Sequence, residues 1–357
     1  MNFAWRLGVK VGLVLFSLAC LLILSSSPAM ACTSFAVYGQ EPVYGMNFDW
    51  YLPTEMKFIV THKSISGNFE SFSLLFDYEG SDSVSTVMCN GIFYSNQEQR
   101  PAPEGKSDYR ELDVGEYYIS QIIHEAMQTQ IVLQAQGYDI GVPAIIAQYQ
   151  EKKFVQTTPH GCHILVADPQ GNAAIFELVD EGNEIVPIAG DFIVMTNFPN
   201  SAFKDGPYNQ VSGTGAERYI TAYEYIEQNL DSFDIDHAFR ALKQTTQSFT
   251  RCSLVCDPLK NNVYLALNND FKHIWRISIS DKTVETWRGF DKDIKLTIPS
   301  GGITDADLMA AVAKTKRPEL YWKLAIAAGA AAVMTVILII FGPNLIWKLK
   351  LQIWKRM

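Results

Sequence analysis

The stretch SSSPAMACTSFAVYGQEPVYGMNFDW, residues 25–50, joins the end of an apolar leader to two extended runs. The only two charges before Cys32 precede an apolar run over residues 11–24, and small residues ending in Ala31 follow it. This order is typical of a secretory signal peptide, and the apolar run is shorter than the ~20 residues that a membrane span needs. The sequence therefore predicts a signal peptide over residues 1–31 and a mature chain that starts at Cys32.

A second apolar segment lies near the C-terminus. Residues 324–341 carry no charge, and aromatic residues such as Trp322 and Trp347 flank them as they would at a membrane interface. The sequence predicts a transmembrane helix with its flanks over residues 319–347, for which a buried core helix is the alternative. The basic tail of residues 348–357 belongs in the cytoplasm by the positive-inside rule. We therefore expect an exported protein on the outer face of the cytoplasmic membrane, held by a single-pass C-terminal anchor.

The charge balance argues against one class of partner. Removing the leader takes away two of the 29 basic residues and leaves 27 against 38 acidic ones, a formal net charge of −11. The basic cluster belongs to the membrane tail, so the chain lacks the footprint of a nucleic-acid-binding protein. Residues 32–318 are long enough for one catalytic domain with a large core.

Strand-like and helix-like patterns alternate along this domain. Runs rich in β-branched and aromatic residues predict strands over residues 32–37, 43–48, 58–61, 69–76, 163–168, 173–178, 184–187, 192–196, 252–256, 263–267 and 274–279. Apolar residues at helical spacing predict helices over residues 114–136, 216–230 and 235–247. Strand groups separated by helices indicate an α+β fold.

Five cysteines remain after the predicted cut, namely Cys32, Cys89, Cys162, Cys252 and Cys256. An odd number leaves at least one thiol free, even in an oxidising compartment. Cys252 and Cys256 fall on one predicted strand, about 13 Å apart, so they are not expected to pair with each other. The other pairings stay open.

Cys32 would carry two reactive groups as the first residue of the mature chain. Its thiol is a nucleophile, and a free α-amine with a pKa of about 7.7–8.0 can accept the thiol proton near neutral pH. Export would therefore also activate the protein. Two other interpretations stay open. A lipoprotein cysteine would be acylated on both groups, although Ala29 stands where such signals usually have an aliphatic residue, and an ordinary structural cysteine would have neither role.

The motifs ACTSF at residues 31–35 and GMNFDW at residues 45–50 are followed by others in a fixed order. These are CNGIFYSN (89–96), Gly161-Cys162-His163 with Asp168, Gly171 and Glu177, VMTNFP (194–199), Arg218-Tyr219, and SLVCD (253–257). The ordered set resembles the N-terminal nucleophile (Ntn) hydrolases of the choloylglycine hydrolase and penicillin V acylase type, over most of residues 32–280. The resemblance implies a four-layer αββα sandwich that hydrolyses linear amide C–N bonds with no cofactor and no metal.

The same resemblance implies roles for five residues. Cys32 would attack the amide carbonyl, and Asp49 would orient its α-amine. Asn197 would donate a hydrogen bond to the oxyanion, and Arg218 would organise Asp49 and the thiolate. Asn96 is the candidate for a second oxyanion donor, on a motif that is two residues shorter than the family's.

Met46 departs from the family pattern. Many bile-salt and penicillin hydrolases have arginine between the glycine and the asparagine of this motif, and methionine cannot pair with an anion. We therefore expect a small-molecule N-acyl amide with an apolar acyl group as the substrate, and assembly into homo-oligomers stays open.

Three alternative functions compete with this one. A histidine could pair with a cysteine in a papain-like protease, or several histidines could bind zinc, but His124, His160, His163, His237 and His273 show no metal-site spacing. A membrane-tethered lipoprotein or binding protein with an acylated Cys32 is the main alternative.

Overall fold

The computed structural model describes residues 32–64, 68–78, 80–101, 112–113, 116–123, 125, 141–155, 161–179 and 182–314. The predicted signal peptide, transmembrane helix and cytoplasmic tail lie outside these residues. Within the described ranges, no helix has the length and apolarity that a membrane crossing requires. The chain divides into two compact units, Met1–Asp305 and Ala306–Met357, and the second is described only as far as residue 314.

The strands and helices have the following bounds. The strands are β1 (Thr33–Tyr38), β2 (Pro42–Asp49), β3 (Met56–Ser64), β4 (Asn68–Tyr78), β5 (Ser81–Cys89), β6 (Ile92–Gln99), β7 (Glu116–Tyr118), β8 (Lys153–Val155), β9 (Gly161–Ala167), β10 (Ala173–Val179), β11 (Gly182–Pro187), β12 (Phe192–Met195), β13 (Thr250–Asp257), β14 (Asn262–Leu267), β15 (Ile274–Ser278), β16 (Thr283–Arg288), β17 (Lys295–Thr297) and β18 (Ile303–Thr304). The helices are α1 (Val142–Tyr149), α2 (Ala216–Asn229) and α3 (Ile235–Gln244), with 3₁₀ turns at Ile119–Gln121, Asn200–Phe203, Tyr208–Gln210 and Leu230–Ser232.

Two large sheets contain most of the strands. The first sheet has the order β12-β1-β2-β13-β14-β15-β16-β17, and the second has the order β11-β10-β9-β6-β5-β4-β3-β18. Neighbouring strands in both sheets are antiparallel. A separate two-stranded sheet pairs β7 with β8 in parallel.

The outer face of each large sheet is covered by helical segments. On the first sheet, Phe35 and Val255 pack in one apolar cluster with Ala222 of α2 and Phe239 of α3. On the second sheet, a similar cluster joins strand residues to the segment of residues 119–123 and to α1, and its members include Tyr94, Val166, Phe176, Ile122, Val142 and Ile145. Alternate strand residues point to opposite faces, so the remaining apolar positions are free to fill the space between the sheets.

The inner faces of the two sheets contact each other. Tyr44 on β2 stacks on Phe93 of β6 with ring centroids 5.3 Å apart, and Phe48 contacts Phe76 of β4 at 4.9 Å. These contacts place the layers in the order helix, sheet, sheet, helix over the described residues. The predicted α+β class is confirmed.

One predicted helix begins in the wrong place. A helix is expected from residue 114, but Glu116–Tyr118 form strand β7 instead, because they pair with the distant Lys153–Val155. Helical turns begin only at Ile119, and residues 126–136 of the prediction lie outside the described residues. Helix α1 was not predicted from the sequence. Its first turn contains a proline, and its Val142 N–H donates to the Asp168 carboxylate at 2.7 Å.

Candidate active site

Cys32 lies directly before β1, at the edge of the inner face of the first sheet. The register of β1 against β2 places it opposite Phe48, whose ring contacts the second sheet. The thiol is buried, and its Sγ lies 4.0 Å from the backbone oxygen of Asp49. Burial first, and then the charge of Asp49, raise the pKa of Cys32 to about 12. The thiol is therefore protonated at neutral pH and needs a base to become a nucleophile.

Asp49 ends β2 and is fully buried. Its Oδ1 accepts a hydrogen bond from the hydroxyl of Thr250, which the register of β2 with β13 places opposite it. Its Oδ2 has no hydrogen-bond partner within the described residues. Burial raises the pKa of Asp49 to about 7, although the Thr250 hydrogen bond and the charge of Arg218 lower it. A buried carboxylate oxygen without a donor is costly, so this position favours a donor or a cation.

Arg218 connects Cys32 to Asn197. Its Nη1 donates to the backbone oxygen of Cys32 and, at 2.8 Å, to the hydroxyl of Thr33, while Nη2 donates to Asn197 Oδ1 at 2.6 Å. Arg218 is buried in the first turn of α2. Gly215, which immediately precedes this helix, has a φ of 87°. A Cβ at Gly215 would lie 2.6 Å from Arg218 Nη2, so glycine is needed both for the backbone conformation and for space.

Asn197 follows β12 and is fully buried. Its Nδ2 donates to the backbone oxygen of Glu98 at 2.7 Å, and its own backbone oxygen accepts from the Arg100 N–H at 2.5 Å. The bond from Arg218 to Oδ1 fixes which end of the amide faces the guanidinium. Because an amide nitrogen carries two hydrogens, the one not used on Glu98 can be donated to an oxyanion.

Asn96 occupies a different face from these residues. It lies on β6 between Ser95, whose hydroxyl is 2.6 Å from that of Ser34, and Gln97, whose amide also contacts the Ser34 hydroxyl. Both neighbours therefore point to the inner face, and alternation along the strand directs the Asn96 side chain to the outer face. The structure thus brings together Cys32, Asp49, Asn197 and Arg218 and places Asn96 apart from them, which removes the geometric basis for an oxyanion role for Asn96.

Met46 is fully buried on the inner face, paired in register with Ser34. Its sulfur accepts a hydrogen bond from the Thr86 hydroxyl and lies 3.8 Å from the Ser85 hydroxyl, both on β5. Met46 lies two residue pairs from Cys32 along the β1–β2 pairing. This position therefore carries a neutral, polarisable side chain and no cation.

The five cysteines in the described residues are all free thiols. Cys252 and Cys256 share strand β13, as predicted, and do not pair with each other. Across the described ranges, no group of three or more His, Cys, Asp or Glu side chains could hold a metal ion.

Two residues that contribute to the site were not predicted from the sequence. Thr250 reaches Asp49 across 201 residues, and nothing local marks it. Glu98 holds Asn197 through its backbone oxygen, and its buried carboxylate, 2.8 Å from Arg100 Nη2, is one of the charges that raise the pKa of Cys32. A carboxylate inside an otherwise neutral strand was a visible signal, because buried charges are rare.

No known sequence family matches the chain, and no curated protein is significantly similar to it in sequence. Among solved structures, a mutant conjugated bile acid hydrolase from Clostridium perfringens is similar, with a TM-score of 0.51 and 14% identity over 75% of this chain and 97% of that one. The chain has the fold of conjugated bile acid hydrolase.

Two further structures were found at lower similarity. A second variant of the Clostridium perfringens hydrolase has a TM-score of 0.46 and 13% identity over 76% of this chain and 98% of that one. Penicillin V acylase from Agrobacterium tumefaciens has a TM-score of 0.42 and 15% identity over 69% and 91%. These proteins are Ntn hydrolases of the choloylglycine hydrolase family, which the sequence motifs resemble. The likeness to the first conjugated bile acid hydrolase confirms the expected fold.

Proposed function

We propose that the protein hydrolyses a linear, non-peptide N-acyl amide bond with Cys32 as the nucleophile, after removal of residues 1–31. The observation that carries the proposal is the bridge made by Arg218, whose guanidinium contacts the main chain of Cys32 and the side chain of Asn197. It unites, in the fold of an amide hydrolase, a thiol and an amide donor that are 165 positions apart.

The base in this proposal is the α-amine that the cut would free. Asp49 supports this role because its buried Oδ2 lacks a hydrogen-bond partner within the described residues. An ammonium donating to that oxygen would satisfy it and would lower the pKa of Asp49, as an opposite charge close to a carboxylate does. The positive charge of Arg218 already lowers the pKa of Cys32, against the effect of burial.

The reaction then has two halves. The α-amine takes the thiol proton, Sγ bonds to the carbonyl carbon, and the oxyanion accepts a hydrogen bond from Asn197 Nδ2, a contact worth about 3 kcal/mol in comparable sites. The C–N bond breaks as the α-ammonium gives its proton to the leaving nitrogen, and a thioester remains. Water attacks the thioester, the α-amine takes the water proton and returns it to the departing thiolate, and the free acid is released.

The proposal includes the location of the enzyme. The leader would direct export, and the apolar segment of residues 319–347 would hold the protein on the outer face of the cytoplasmic membrane. Substrates would be small N-acyl amides with apolar acyl groups, to which a membrane tether gives access.

The test determines the first residue of the mature protein and measures its amidase activity. Full-length protein expressed with its own leader should start at an unmodified Cys32 by mass spectrometry and release amine from a panel of N-acyl amides. Cys32→Ala should be exported and folded but at least about 10³-fold less active, since the nucleophile is gone. Cys162→Ala, which removes another free thiol, is the matched control and should remain active. Ala31→Trp should block the cut and the activity together.

Two results would contradict the proposal. An acylated Cys32 would support the lipoprotein alternative, and full activity of the uncleaved Ala31→Trp protein would exclude the α-amine as the base.

A further inference from the structure

A buried carboxylate on the second sheet holds the loop that carries Asn197. Glu177 lies on β10 and is fully buried. Its Oε1 accepts from the Asn200 backbone N–H at 2.6 Å, and its Oε2 accepts from the Ser201 N–H at 2.8 Å. The carboxylate therefore binds the first two residues of the 3₁₀ turn at Asn200–Phe203, which follows β12 of the first sheet.

His163 completes this arrangement. It is fully buried, pairs in register with Glu177, and places Nδ1 3.2 Å from Glu177 Oε1. His163 also pairs in register with Gln97, whose side chain contacts Ser34 on the first sheet, so His163 and Glu177 point to the inner face. Burial acts to raise the pKa of Glu177, but His163 and the two backbone N–H groups together lower it. The carboxylate is therefore charged at neutral pH, and bonds to a charged acceptor are stronger than neutral ones.

The connection from this carboxylate to Asn197 is short and stiff. Only Phe198 and Pro199 separate Asn197 from Asn200. The Phe198 side chain is buried against Tyr219, with ring centroids 5.1 Å apart, and the φ of Pro199 is fixed at −68°. A shift of the Asn200 backbone would therefore move the Asn197 amide, and displacements of about 1 Å at a catalytic group are costly.

We propose that Glu177, supported by His163, is a positioning residue that holds the Asn197 side chain in place for the oxyanion. This inference rests on the proposed function, because it assumes that Asn197 contacts the oxyanion. Glu177 would then affect the rate of the reaction although it lies on the other sheet and does not touch the substrate.

The experiment uses Glu177→Gln in the full-length processed protein. Glutamine keeps the shape but places an NH₂ group against a backbone N–H, so one of the two bonds is lost. We expect kcat for an N-acyl amide to fall about tenfold or more, with KM changed by less than about twofold, because the oxyanion exists only in the transition state. Alkylation of Cys32 by iodoacetamide needs no oxyanion donor and should proceed at the wild-type rate.

A double-mutant cycle separates positioning from general stability. In an Asn197→Ala background, Glu177→Gln should reduce kcat by less than about twofold, because the group that it positions is absent. An equal tenfold loss in both backgrounds would overturn the proposal and leave the proposed function intact. Glu184→Gln is the matched control, since this exposed carboxylate pairs with Lys204 just beyond the same turn at 3.3 Å and should be dispensable.

A measurement independent of activity completes the test. Hydrogen exchange of the Asn200 and Ser201 amides should be about tenfold faster or more in Glu177→Gln than in the wild type. Unchanged exchange would refute the tether whether or not the protein hydrolyses any amide. Glu177→Asp, which keeps the charge on a shorter side chain, carries the same expectation where Glu177→Gln does not fold.

Discussion

Asp49 is buried at the end of β2 with only one of its two carboxylate oxygens hydrogen-bonded within the described residues. While Cys32 is still linked to Ala31, no ammonium is available to the second oxygen. Burial then raises the pKa of Asp49 from 3.8 to about 7, although Thr250 and Arg218 lower it. The folded precursor therefore keeps a proton that the unfolded chain releases.

This shift predicts that the uncleaved protein loses stability as the pH rises. The contribution of protonated Asp49 is fully present below pH ~4 and is lost as the pH passes ~7, an upper limit of about 4 kcal/mol. In an uncleaved Ala31→Trp background, Asp49→Asn should raise Tm by several degrees at pH 8 and by little at pH 4. Thermal unfolding of the two proteins at both pH values is the measurement. A difference in Tm that does not depend on pH would show that the pKa of Asp49 is the same in the folded and unfolded protein. In processed protein, the freed ammonium should reduce the difference at pH 8.

At the scale of the element, the start of α2 determines where Arg218 lies. Gly215 precedes the helix with a positive φ, and Thr196 as well as the guanidinium would contact a Cβ there, the Thr196 hydroxyl at 2.9 Å. Gly171 has a similar φ of 97° in the turn between β9 and β10, but nothing lies within 4 Å of its Cβ position. The two glycines differ in surroundings and not in backbone strain.

Alanine substitutions at the two glycines should separate strain from displacement of the site. Gly171→Ala should cost about 1 kcal/mol of stability and leave kcat unchanged, because only the backbone conformation is disfavoured. Gly215→Ala should cost more than that and should lower kcat by about tenfold or more, because Arg218 must move away from Cys32 and Asn197. Tm and kcat measured on both variants test this, and equal activity in the two would mean that the position of Arg218 tolerates displacement.

Elements with strong local patterns could be predicted from the sequence. The strands expected over residues 43–48 and 263–267 are observed at Pro42–Asp49 and Asn262–Leu267, since β-branched and aromatic residues bounded by turn formers determine them. The strand β7 could not be predicted, because its three residues form a strand only through pairing with the distant β8. For α1, Pro143 is a local signal of a helix start, because proline is favoured in the first turn of a helix.

At the scale of the whole molecule, the site is assembled from segments that only the sheet register brings together. The motif resemblance selected Cys32, Asp49, Asn197 and Arg218, which lie close together in the structure. It also selected Asn96, which lies on the other face of β6, because a motif shortened by two residues does not say which face of the strand a side chain occupies. Register and strand pairing are long-range properties, so the contacts of Thr250 with Asp49 and of Glu98 with Asn197 are seen only in the folded structure.

The surroundings of Cys32 bear on substrate charge. Met46, which departs from the motif that the sequence resembles, is buried and contacted by hydroxyl groups of β5. Arg218 is already bonded to Cys32, Thr33 and Asn197, so its donors serve the site and not a substrate anion. Residues 32–318 contain 22 basic and 37 acidic residues, and their field disfavours anions as well.

We therefore expect the protein to cleave neutral or cationic N-acyl amides with apolar acyl chains faster than taurine or glycine conjugates of the same acyl group. Phe48 contacts Phe76 between the two sheets, and these aromatic side chains favour an apolar acyl chain. A sulfonate or carboxylate on the leaving amine would meet the neutral Met46 and an Arg218 whose guanidinium is already hydrogen-bonded within the site. The measurement is kcat/KM for matched acyl-amine and acyl-taurine substrates on processed protein, with Cys32→Ala as the blank. A tenfold preference for the taurine conjugate, about 1.4 kcal/mol of transition-state binding, would mean that a cation outside this set binds the anion.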